Sequence, residues 1–297
     1  MNKSIRILIL ALTGLALAST AGAQELTGTL KKIKDNNTIT VGHRESSIPF
    51  SYYDDKQQPV GYMMDLCAKV VDAVKAKVGA GVEVKYQAVN SSNRIPLMKN
   101  GTIDLECGST TNSVKRQEEV AFSPTTYIAA VKMLVKTNSG IKGPEDLKGK
   151  TVVTTQGTTS GKYVRELSDA NKLDLKFILA KDHAESFQMV KSDRAVAFEM
   201  DDVLLYGLRA TAENPADFVV LPKAFSTEPY GIMIRKDDAQ FKDLVHATIG
   251  GVMKSGEGEK IYNKWFTAAI PPKGVNLNIP MSPELKEAFA NPNDKGI

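Results

Sequence analysis

The stretch Gly42-His43-Arg44-Glu45-Ser46-Ser47-Ile48-Pro49 puts an arginine where a β-prone run, residues 38–41, gives way to a loop. Open α/β sheets place their ligand-binding groups at the carboxyl ends of strands. Two more arginines, Arg94 and Arg116, stand at later strand-to-helix junctions, each preceded by small hydroxyl residues. Three arginines at such points predict a small acidic ligand.

Outward from this stretch, hydrophobic periodicity predicts a helix over 64–78, a strand over 82–88, a short helix over 94–100, a strand over 103–107 and a helix over 113–120. This alternation is the order of a mostly parallel sheet covered by helices. A β-rich stretch, 127–136, and the turn Thr137-Asn138-Ser139-Gly140 lead to a second such unit. It has strands predicted at 151–155, 175–179 and 195–198 and helices at 161–167, 184–190 and 203–209. A β segment at 231–235 and helical patterns over 241–265 follow. The chain is thus expected to cross between two lobes twice, near 129–135 and 226–234, making a two-stranded hinge suited to closure around a ligand. Lobe 1 would comprise 24–130 and 230–297, and lobe 2 would comprise 131–229. The tail beyond Pro271, with Pro272, Pro280, Pro283 and Pro292, reads as an irregular strap.

The first 23 residues have a basic start (Lys3, Arg6), an apolar run and Ala21-Gly22-Ala23, the pattern of an export signal cleaved after Ala23. Without it, 36 basic residues face 34 acidic ones. This near balance gives no reason to expect nucleic acid or anionic lipid as a partner. The remaining 274 or so residues suffice for two cores. Two cysteines exclude a disulfide framework and allow one bridge. Cys67 falls in an apolar helix and Cys107 in an apolar strand, a setting that favours two buried free thiols.

Each candidate site lies where a strand ends and a helix begins, where free N–H groups and the helix dipole favour an anion. The first is Asn90-Ser91-Ser92-Asn93-Arg94, with a serine expected to cap the helix. The second is Gly108-Ser109-Thr110-Thr111-Asn112-Ser113 ahead of Arg116, and the third is Gln156-Gly157-Thr158-Thr159-Ser160. The fourth and fifth are Ala180-Lys181-Asp182-His183 and Phe198-Glu199-Met200-Asp201-Asp202. In the last, one aspartate would cap the next helix or receive a bound ammonium group, which is costly to bury unpaired. Gly143 to Thr151 imitates a phosphate loop, but it has five residues between its glycines and leads into a strand. The three histidines lack metal-ligand spacing, and no nucleophile elbow is present. No cofactor, metal or catalytic group is therefore expected.

Gly61-Tyr62-Met63-Met64-Asp65-Leu66, followed by Val70-Val71 and Val74, resembles the signature of family 3 periplasmic solute-binding proteins, the amino-acid receptors of ABC importers. Met63 stands where that family usually has an acidic residue. The resemblance is nearest to the glutamate/aspartate-binding members. It is carried by Gly42 to Ser47, Asn93-Arg94-Ile95-Pro96-Leu97, Glu106 to Asn112, Ala180 to His183 and Arg194-Ala195-Val196-Ala197-Phe198. It implies a periplasmic-binding-protein type II fold, a periplasmic monomer, a membrane permease as partner, and L-glutamate and L-aspartate as ligands. It also implies roles: Arg116 with Thr111 and the Ser109 region for the α-carboxylate, and Asp201, helped by Ser109, for the α-ammonium. Arg44, Ser91, Arg94 and His183 would surround the side-chain carboxylate, with Thr159 contributing from the opposite lobe. Two other readings remain open, a receptor for a dicarboxylate or an amide amino acid, and a dehydratase on the same fold with His183 or Glu199 as base.

Overall fold

The computed structural model describes residues 25–297, and the expected export signal lies outside them. Two mixed sheets organise the chain. The first has the order Glu83–Ala88, Thr38–His43, Leu105–Cys107, Met233–Arg235, Val120–Phe122. Its first three strands are parallel, and Met233–Arg235 runs antiparallel to both neighbours. The second has the order Lys176–Ala180, Thr151–Thr155, Ala197–Asp201, Tyr127–Lys136, Phe218–Val220. There too the first three are parallel, while Tyr127–Lys136 runs against its partners. The antiparallel strands in both sheets belong to the segments that carry the chain between them.

Each sheet is buried by helices whose apolar residues fall on one stripe. In helix Tyr62–Val78 the buried residues include Leu66, Cys67, Val70, Val71 and Val74, packed towards helices Ala239–Lys254 and Glu257–Phe266. Strands Tyr127–Lys136 and Ser226–Tyr230 pair antiparallel, with Tyr127 opposite Tyr230 and Val131 opposite Ser226. This two-stranded ribbon passes between the sheets. An aromatic cluster braces its base: Phe50 lies 4.9 Å from Tyr127 and 5.2 Å from Tyr230, centroid to centroid, both edge-on. Tyr62 donates its hydroxyl proton to the Thr126 carbonyl at 2.8 Å. Such aromatic contacts add about 0.5–1.5 kcal/mol per pair beyond area burial.

Three local expectations are corrected. Cys67 and Cys107 are not free thiols but form a disulfide, with their Cα atoms 6.2 Å apart. The burial that favoured thiols is shared by both ends of a bridge, because the helix carrying Cys67 packs on the strand carrying Cys107. The tail is not wholly irregular. It forms a hairpin, Ala269–Ile270 with Val275–Asn276, and a helix, Pro283–Ala290, capped by Ser282 and anchored by buried Leu285 and Phe289. Proline at the first helical position costs no hydrogen bond. The helix expected over 113–120 is only Val114–Gln117, because Val120 and Phe122 alternate inward as a strand. An additional helix, Gly28–Asn36, buries Leu30 and Ile33 ahead of the first strand.

Candidate functional site

The strand ends of both sheets converge beside the hinge ribbon. Arg44 follows strand Thr38–His43, and its backbone N–H is held by the Ser51 hydroxyl at 2.8 Å. Its guanidinium is 2 % exposed, and Nη2 lies 3.3 Å from His183 Nε2, at the start of helix His183–Lys191 on the other side of the cleft. A guanidinium only donates, so His183 Nε2 accepts. The ring proton then sits on Nδ1 and is donated to Thr155 Oγ1, 2.9 Å away. Burial, reinforced by the charges of Arg44 and Arg94, pushes His183 well below the usual histidine range, which keeps it neutral.

Arg94 opens helix Arg94–Lys99 and is also 2 % exposed. Its Nη1 donates to the Ser109 carbonyl at 3.2 Å and to Thr110 Oγ1 at 2.6 Å, and Thr110 in turn donates to Glu106 Oε2 at 2.5 Å. The expected serine cap is absent at this helix. Asn90 Oδ1 accepts from the N–H groups of Ser92 and Asn93, which leaves the buried Ser91 hydroxyl without a partner among the described residues. Ser109 Oγ reaches Ser47 Oγ at 3.3 Å. Arg116, whose helix is capped by Ser113, donates to the Thr111 carbonyl at 2.9 Å and across the cleft to the Gly157 carbonyl at 3.2 Å. Burial and the neighbouring Arg94 charge bring both Arg44 and Arg116 down to about 10. Guanidinium groups crowded out of water in this way are stabilised by an anion.

The opposite charge gathers at the other end. Of the two aspartates at the end of strand Ala197–Asp201, Asp202 is committed to structure. It accepts from the Val203 and Ala130 N–H groups and pairs with Lys132 at 3.0 Å. Asp201 is left facing the cleft, 2 % exposed, with Tyr230 donating to Oδ2 and with Oδ1 unpartnered among the described residues. Burial, then the nearby Glu228 charge, raises the Asp201 carboxyl well above the usual carboxylate range. Glu199, also buried, is raised by that burial and then by the charges of Asp201 and Glu228. Thr111 and Thr159, one from each side of the cleft, both donate to Glu228 Oε2, the bond from Thr159 being 2.7 Å.

The sequence-predicted residues thus meet across one cleft. A cavity of about 260 Å³ adjoins it, lined in part by Arg44, Asn90, Asn93 and Asp182. A larger hollow of about 750 Å³ at Lys136, Lys191 and Asp217 contains none of these groups. Sequence reasoning missed Glu106, Thr110, Thr155, Glu228 and Tyr230. Glu228 is a charged residue on the inward face of a short strand, a placement that the sequence alone does not reveal. Chemically, the arrangement suits a small molecule negative at two places and positive at one.

The family model for bacterial extracellular solute-binding proteins, family 3, matches residues 39–268. The chain belongs to this family. It is 51 % identical over 97 % of its length to the L-glutamate/L-aspartate-binding protein of Pseudomonas aeruginosa, covering 96 % of that protein. It is 49 % identical over 98 % of its length to the glutamate/aspartate import solute-binding protein of Escherichia coli, covering 97 % of it. Among solved structures, the cysteine-binding protein of Campylobacter jejuni superposes with a TM-score of 0.72 at 25 % identity, over 85 % of this chain and 98 % of that one. Both relatives are named for binding glutamate and aspartate rather than for an enzymatic activity.

Proposed function

We propose that the chain is an exported receptor that captures L-glutamate and L-aspartate between its lobes and delivers them to the membrane permease of an ABC importer. The observation that carries this reading is the polarity of the cleft: Arg44, Arg94 and neutral His183 at one end, and Arg116 beside Asp201 at the other. Arg116 would hold the α-carboxylate and Asp201 the α-ammonium. Arg44, Ser91, Arg94 and His183 would enclose the side-chain carboxylate. An amide side chain would leave buried guanidinium donors poorly matched, at about 1–3 kcal/mol each, or roughly tenfold to a hundredfold in affinity. The same reading puts the mature protein in the periplasm as a monomer, cleaved after Ala23. It takes 24–130 with 230–297 as one lobe and 131–229 as the other, a division supported by the membership of the two sheets.

Calorimetric titration of the mature, ligand-stripped protein with L-glutamate, L-aspartate, L-glutamine and succinate tests it. Tight binding of the first two, with large losses for the others, is expected. Preference for glutamine would overturn the side-chain assignment, and equal binding of succinate would remove the role given to Asp201.

A further inference from the structure

Glu228 belongs to the hinge strand Ser226–Tyr230, and its side chain is fully buried. Alternate residues of a strand share a face, so Glu228 and Tyr230 both point at the cleft. They treat its polar groups in complementary ways. Tyr230 donates its hydroxyl proton to Asp201 Oδ2 in a hydrogen bond, and Oδ1 has no partner among the described residues. Glu228 does the reverse with two hydroxyls, accepting from both Thr111 Oγ1 and Thr159 Oγ1 on a single oxygen, Oε2, while Oε1 has no partner among the described residues.

A hydroxyl has one proton to give and two lone pairs to offer, whereas a carboxylate only accepts. Once Glu228 has taken both protons, the threonine oxygens present lone pairs alone to whatever lies in the cleft. Their oxygens are 3.4 Å apart, close enough to act together. Acceptor-only oxygens in the same cleft as Asp201 match an ammonium group and oppose a carboxylate. Thr111 and Thr159, expected from the sequence to assist carboxylates, are thereby turned towards the amine.

We propose that Glu228 is a specificity-determining residue that fixes the hydroxyls of Thr111 and Thr159 as acceptors and so makes the cleft require an α-ammonium group. The inference rests on the amino-acid reading above and adds a residue and a role to it. Glu228 acts through the two threonines and is a positioning residue. It also joins groups from the two sides of the cleft, so part of its effect depends on the closed arrangement.

The test is the ratio of affinities for L-glutamate and for glutarate, its analogue without the amine. It is measured by calorimetry on the full mature protein, wild type and E228Q, with thermal unfolding as a control. The amide can donate as well as accept, so it no longer dictates the threonine protons. The expected result is a glutamate-to-glutarate ratio at least tenfold smaller in E228Q, mainly through weaker glutamate binding, with cooperative unfolding retained. Thr111→Val, which deletes one acceptor and leaves Glu228 itself in place, should shrink the ratio in the same direction. If E228Q loses affinity for both ligands equally, Glu228 is only a brace and the inference fails while the receptor reading stands. A wild-type protein that fails to prefer glutamate over glutarate sinks the amino-acid reading and this inference with it.

Discussion

His183 is held between a donor and an acceptor in a cleft that already contains guanidinium charge, and its proton count depends on that setting. In the unfolded chain a histidine protonates near pH 6.5 or so. In the folded chain, burial and the two arginines keep His183 neutral, well below its ordinary value. Below about pH 6.5 the unfolded state therefore binds a proton that the native state refuses, and stability falls with decreasing pH by up to about 1.4 kcal/mol per unit. Urea unfolding of ligand-free wild type and His183→Gln between pH 7.5 and 5 should show the wild type losing relative stability as pH falls. A pH-independent difference would contradict the neutral assignment. Asp201 has the opposite character, since its carboxyl is raised by burial and by the Glu228 charge and is disfavoured as an anion until a cation pairs with it. Asp201→Ala should weaken L-glutamate binding by tenfold to more than a hundredfold, from the loss of a charged hydrogen bond of about 1.5–3 kcal/mol. Ligand-free thermal unfolding should stay level or rise, and unchanged glutamate affinity would count against the ammonium role. The charged groups of the cleft were readable because arginine after a strand is a local pattern. Glu228, Glu106 and Tyr230 were not, because their meaning comes from partners brought together only by the fold.

Among the elements, the helix Tyr62–Val78 and the short strand Leu105–Cys107 matter most for the site, since the strand leads straight into the segment Ser109–Thr111. The disulfide fastens these two elements across a separation of 40 residues. A loop of that size is worth about 4 kcal/mol on the chain-entropy account. A Cys67→Ser, Cys107→Ser double variant should unfold at lower denaturant by about 2–4 kcal/mol, and wild type in reductant should behave similarly. Equal stability with and without the bridge would show that helix packing alone fixes the strand. Most strands and helices were legible from periodicity, and their order implied the parallel core. The bridge was not, because sequence cannot give the distance between two buried sulfurs. Helix Pro283–Ala290 was obscured for another reason: its prolines read as breakers, although Ser282-Pro283 is a good helix start.

On the scale of the whole molecule, the two sides of the cleft approach closely enough to leave no room for a methyl group at one point. Gly157 has φ +80°, and a Cβ there would lie 2.6 Å from the Ser91 carbonyl oxygen across the cleft. Gly157 also offers its own carbonyl to Arg116. Gly157→Ala should therefore oppose full closure at about 1–3 kcal/mol, raising the L-glutamate Kd roughly tenfold to a hundredfold. Small-angle scattering of the glutamate-saturated variant should give a larger radius of gyration than wild type, and equal compaction would refute the steric argument.

The aromatic residues have an optical consequence. The sole tryptophan, Trp265, donates Nε1–H to Asp65 at 2.7 Å and lies 6.2 Å from the Tyr52 ring, all within the lobe built around the first sheet. Its emission is therefore set by surroundings that do not change when the cleft shuts, and tryptophan fluorescence should be nearly silent on ligand addition. Tyr230 is bonded to Asp201 and packed against Phe50 at the moving ribbon, so the near-ultraviolet difference spectrum of tyrosine is the intrinsic signal that should follow capture.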